Sequence, residues 1–86
     1  MSLSTSGTIT TNQSLDISNF YEMSIFTDYT LMIPLARIMC SNDNNTWVEY
    51  DLFRKNYMYL SDLMANYIKI ETDQSFTVFY NANFKK

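Results

Sequence analysis

Clusters of polar turn-forming residues cut this chain at the spacing of β-strands. They are Asn12-Gln13-Ser14, Asp28, Ser41-Asn42-Asp43-Asn44-Asn45, Ser61-Asp62 and Thr72-Asp73-Gln74-Ser75. The stretches between them hold the residues that suit a pleated, half-buried surface. Thr, Ile, Val, Tyr, Phe and Trp make up 32 of 86 residues, whereas Ala and Glu occur three times each. Exposed helix faces are normally filled with Ala, Glu, Lys, Gln and Arg, and this chain lacks that supply. Nine Asn and six Asp can take the left-handed turn positions that the single glycine, Gly7, cannot cover.

A helical reading competes over one segment. Tyr50, Phe53, Tyr57, Leu60, Met64 and Tyr67 recur at alternating spacings of three and four, behind a possible Thr46/Glu49 capping box. The strand reading covers more of the chain. Thr30–Cys40 runs into the 41–45 turn, and Thr46-Trp47-Val48-Glu49-Tyr50 returns as a first hairpin. Residues 66–72 meet Asp73-Gln74, and residues 75–80 return as a second. In that second pair Ile68 and Ile70 alternate with Lys69 and Glu71, and Val78 with Thr77 and Phe79. Pro34 places its strand at an edge or at a bulge.

The sequence thus predicts an all-β fold, a small single-domain β-sandwich or jelly roll. About eight short antiparallel strands fall near 7–11, 15–17, 20–27, 30–40, 46–51, 57–60, 66–72 and 75–82. Ile25, Leu31, Ile33, Trp47, Ile68, Ile70 and Val78 are the expected core. Residues 1–14 are Ser/Thr-rich and uncharged. They read as an arm apart from a body at 15–86, with Thr8–Thr11 pairing along a strand edge of that body or of a neighbour.

Several chemistries lose their usual residues. Without histidine there is no Ser-His or Cys-His pair and no common zinc ligand. A lone Cys40 forms no internal disulfide and reads as a small buried apolar residue. One glycine builds no phosphate-cradling loop. Six scattered basic residues and a net charge of −3 argue against nucleic acid, so Arg37, Arg54 and Lys55 read as solvated charges. The first basic residue is Arg37, so no signal peptide is expected, and the apolar run Leu31–Ala36 is too short to span a bilayer. The expectation is a non-enzymatic protein with no cofactor, no metal and no membrane contact.

Five stretches together resemble a known group of proteins. They are Leu15-Asp16-Ile17-Ser18; Phe20-Tyr21-Glu22-Met23-Ser24-Ile25-Phe26; the turn Ser41-Asn42-Asp43-Asn44-Asn45-Thr46-Trp47; Asp62-Leu63; and the closing pair containing Ala65–Ile70 and Phe76–Tyr80. The pattern, over about residues 8–82, resembles the small β-sandwich modules of tailed-bacteriophage virions: capsid decoration proteins, head fibres and tail adsorption parts. Their usual turn is Ser-Asn-Asp-Gly, and Asn44 stands here in the glycine's place. The resemblance implies a virion structural protein, made in the host cytoplasm, whose partners are other virion proteins and copies of itself. Two other functions fit the same chain, a carbohydrate-binding or host-adsorption module and a small acidic phage-encoded inhibitor of a host protein.

Individual residues divide between core and surface. Trp47 could stack on a sugar, but a core ring closing the first hairpin explains it without a ligand. Asp43, Asn45, Glu49 and Asp51 offer oxygens for calcium, but turn chemistry accounts for them as well. The surplus of aromatics and methionine suggests a protein interface, with Ile9, Phe53, Tyr57, Met58, Tyr59 and Phe79 as its candidates.

Overall fold

A computed structural model describes residues 4–28, 36–53, 56–61 and 65–85. Among these residues are eight strands: β1 (Ser4–Thr10), β2 (Leu15–Asp16), β3 (Phe20–Phe26), β4 (Ala36–Ser41), β5 (Val48–Leu52), β6 (Tyr57–Leu60), β7 (Tyr67–Thr72) and β8 (Thr77–Phe84). No helix occurs among the described residues. The strands form two antiparallel four-stranded sheets. The first runs β1-β8-β3-β6 and the second β2-β7-β4-β5. Strand one pairs with eight, two with seven, three with six and four with five. The chain is therefore one long folded-back ribbon rolled onto itself, which is the jelly-roll arrangement.

Strand alternation explains the core. On the first sheet Ile9, Met23, Ile25, Leu60, Val78 and Ala82 point inward. On the second, Ala36, Ile38, Ile68 and Ile70 point back at them, and Ile17, Phe20 and Phe53 fill out the cluster. The helical spacing from Tyr50 to Tyr67 is a coincidence of three strands. Phe53 and Leu60 lie inside while Tyr50 and Tyr57 lie outside.

Asparagine stands in for glycine at two turns. Asn12 and Asn44 both have positive φ, at 64° and 61°. Asn12 ends β1 and ties the turn down. Its amide donates to the Ile70 carbonyl at 2.7 Å, and its side chain exchanges two hydrogen bonds with the Thr72 backbone at 2.7 and 2.9 Å. At 41–46, Asp43 Oδ1 accepts from the amides of Asn45 and Thr46 and from the Ser41 hydroxyl. These bonds, led by those from the two amides, hold the Asp43 carboxyl down to about 2.

Gly7 is used differently. It pairs with Tyr80, and a Cβ at this position would lie 2.8–2.9 Å from atoms of the Tyr80 side chain. The bare backbone lets the ring close over β1 and reach Phe20, 6.0 Å away between centroids.

Several sequence expectations need correction. The strand pairing expected for Thr8–Thr11 occurs on the body's own edge, at Thr8–Thr10, and it begins earlier, at Ser4. Residues 4–10 form an edge strand of the body, in unbroken register with β8 from Ser4↔Asn83 to Thr10↔Thr77. Backbone pairing holds small polar side chains as well as large ones, and Ile9, 3% exposed, anchors the strand in the core. Ile9 is therefore a core residue and not an interface residue. So is Phe53, buried at 1% exposure with its amide donating to the Ala36 carbonyl at 3.0 Å. An extra residue at Tyr50, where Ile38 faces Asp51 but Met39 faces Glu49, resets the alternation.

Trp47 is only partly buried and lies outside the core cluster. It precedes β5, and Lys69 sets its ammonium 4.4 Å from the ring centroid. The first hairpin forms, as β4 with β5. The second does not. β7 and β8 follow one another but lie in opposite sheets, so Ile68 and Ile70 face Val78 across the core instead of beside it. Leu31, Ile33 and the first half of the 30–40 strand lie outside the described residues.

Candidate functional site

The outer face of the first sheet carries the most unusual surface. Register puts Thr8, Phe79, Phe26 and Tyr57 side by side across all four strands. The next row is Ser6, Asn81, Ser24 and Tyr59, and beyond it come Asn83 and Glu22. Tyr57 is 59% exposed, Tyr59 53%, Phe26 38% and Phe79 37%. Rings of this size expose together roughly 400 Å² on one flat face, in the range of patches that mark binding sites.

The rings are held in place. Phe26 and Phe79 stack, with centroids 5.6 Å apart and planes 26° from parallel. Each thus covers one of the other's faces. Tyr59 donates its hydroxyl to Glu22, whose other carboxylate oxygen accepts from Asn83 Nδ2 at 2.7 Å. These two bonds, Tyr59's the larger, keep the Glu22 carboxyl below its ordinary value. Glu22 is the only charged residue in these rows, and it is tied up by its neighbours.

Of the interface candidates, Tyr57, Tyr59 and Phe79 come together here. Met58 points inward between the two tyrosines and packs partly buried against the core. Phe26 belongs to the same surface, and the sequence reading missed it. Its signal was available: Met23 and Ile25 set the inward phase of β3, so Phe26 falls on the outside.

The other proposed site has a different character. Asp43 is spent on its own turn, and Glu49 pairs with Arg37 at 3.8 Å. Among the described residues no group of three His, Cys, Asp or Glu is arranged to hold a metal ion. Cys40 is half-buried, and burial raises its thiol above the usual range. No helix among the described residues is long and apolar enough to cross a membrane. No family model, no curated protein and no solved structure matches the sequence.

Proposed function

We propose that this protein is a non-enzymatic structural component of a virion, a capsid decoration protein or a head-fibre or tail accessory. It docks on another virion protein through the outer face of its first sheet. One observation carries the reading: Phe26, Phe79, Tyr57 and Tyr59 form an exposed aromatic cluster with almost no charge around it. Interfaces are enriched in such rings and depleted in Lys, Glu and Asp. The jelly-roll strand order, common in viral capsid domains, is compatible with this role but does not by itself imply it.

A protein partner fits the surface better than a sugar. Sugar stacking needs open ring faces, and Phe26 and Phe79 each have one face covered by the other. The test uses particles produced from the genome that encodes the chain. Purified particles should contain the protein, and the double variant Tyr57→Ser, Tyr59→Ser should lower its occupancy on the order of tenfold or more with its melting curve preserved. Particles that lack the chain, or full occupancy by the folded variant, would overturn the proposal. Glycan binding by the parent that disappears in the same variant would reassign the face to a carbohydrate.

A further inference from the structure

The four sheet edges differ in how they are protected against pairing with another chain. β2 has two residues and β6 four, so neither offers a long ladder. β5 carries Glu49 and Asp51 and is broken by the extra residue at Tyr50. Short length, charge and bulges are the usual devices that blunt an edge. β1 has none of them. It is seven residues long, keeps one register with β8 throughout, and contains no charge and no proline.

Its free backbone groups can be identified. The Thr11 amide donates to the Phe76 carbonyl, at 3.4 Å, and alternate residues of an antiparallel ladder face the same neighbour. Thr5, Gly7 and Ile9 therefore face β8, while the N–H and C=O of Ser6 and Thr8 point away from it. Both residues are exposed, and no hydrogen bond from a described residue reaches those outward groups.

We infer that β1 is a homodimerisation edge, pairing antiparallel with β1 of a second copy about a two-fold axis normal to the sheet. A second copy suits this edge for a specific reason. The register that overlaps Ser4–Thr10 fully sets Ser6 opposite Thr8 of the other copy and Gly7 opposite its equivalent, so no charges are opposed. The outward groups of Ser6 and Thr8 are then satisfied in both copies. The result is one continuous eight-stranded sheet. Because the axis is normal to it, both aromatic clusters lie on the same side. Docking through that side becomes bivalent, which raises avidity without any new contact. The pairing itself does not depend on the partner that the aromatic face binds.

The test uses the full chain. Sedimentation should show a concentration-dependent species of twice 10.1 kDa. Amide hydrogen exchange should slow at Ser6 and Thr8 as that species forms, while Thr5, Gly7 and Ile9 stay unchanged. The double variant Ser6→Lys, Thr8→Lys places like charges across the pair and should weaken association on the order of tenfold or more. The variant Tyr57→Ser, Tyr59→Ser should associate normally. A chain that stays monomeric at millimolar concentration would overturn the inference, as would a dimer without protection at Ser6 and Thr8. If the lysine variant fails to fold, the exchange pattern of the parent still decides. A dimer lost in the tyrosine variant would assign self-association to the aromatic face instead.

Discussion

The two outer faces of the sandwich are built from the same strand alternation and end with opposite chemistry. On the second sheet Arg37 lies between Glu49 and Glu71, 3.8 and 4.0 Å away, and Lys69 covers the Trp47 ring. Its charges are satisfied by near neighbours and remain solvated. Such exposed pairs contribute little to stability, about 0–1 kcal/mol each. On the first sheet Phe26 stacks on Phe79, and the Glu22 carboxylate is tied up by Tyr59 and Asn83. A face of paired charges is complete in water. A face of exposed rings leaves apolar area in water, as a binding surface does before its partner covers it. This contrast is the ground for proposing the first face as the binding side.

The contrast can be broken from beneath. Removing residues 4–10 takes away β1 and leaves β8 as the edge of the first sheet, paired only with β3. We expect loss of cooperative folding, since a domain of this size has only about 5–15 kcal/mol to lose. Thermal melts check it. A truncated chain that melts like the parent would return β1 to the status of a detachable arm.

A smaller effect separates core from surface. Phe53→Ala should cost about 3–5 kcal/mol by chemical denaturation, because it empties a buried site. Trp47→Ala should cost only about 1 kcal/mol, the scale of an exposed cation–π contact with some packing. Equal costs would mean that Trp47 closes the core after all.

The faces themselves can then be compared by substitution. Arg37→Gln on the second sheet and Tyr57→Ser on the first should each change stability by less than about 1 kcal/mol. Only the tyrosine change should weaken docking, and titration calorimetry with the isolated partner would read the difference. Equal losses of affinity would erase the distinction between the faces.

The smallest effect is a pH dependence. Asp43 titrates at about 2 in the folded chain, against 3.8 ordinarily. The stabilisation it gives the 41–46 turn is present above the unfolded value and is lost as pH falls from about 4 through about 2. Carboxyl resonances followed by NMR should show this midpoint, and the amides of Asn45 and Thr46 should shift with it. An Asp43 midpoint near 4 would remove the turn's anchor.

What the sequence revealed follows from what is local. Turn residues and two-residue alternation act within a few positions. The all-β class, the eight strands, and the inward set Ile25, Ile68, Ile70 and Val78 could therefore be read directly. Asn44 in the glycine position was equally legible, since Asn tolerates the left-handed region. Other features depend on distant partners. Consecutive strands β7 and β8 look like a hairpin until β4 and β1 claim them for different sheets. One bulge at Tyr50 shifts the phase of the residues after it, so that Phe53 turns inward relative to Glu49, and no local signal announces it. Ile9 and Phe53 read as surface because their burial is set by the opposite sheet. Trp47 read as core on size alone. The aromatic face was half visible: Tyr57, Tyr59 and Phe79 could be named, but their meeting with Phe26 required the register of three strands.

The claim that one face docks and the other stays in water is tested most directly by side-chain footprinting of the free and assembled protein. Hydroxyl-radical labelling of the chain alone should modify Phe26, Phe79, Tyr57 and Tyr59 on the first sheet, and Val48 and Tyr50 on the edge strand of the second. On assembled particles the account predicts protection of the first four with Val48 and Tyr50 still labelled. Protection of Val48 and Tyr50 with the aromatic cluster left open would contradict it.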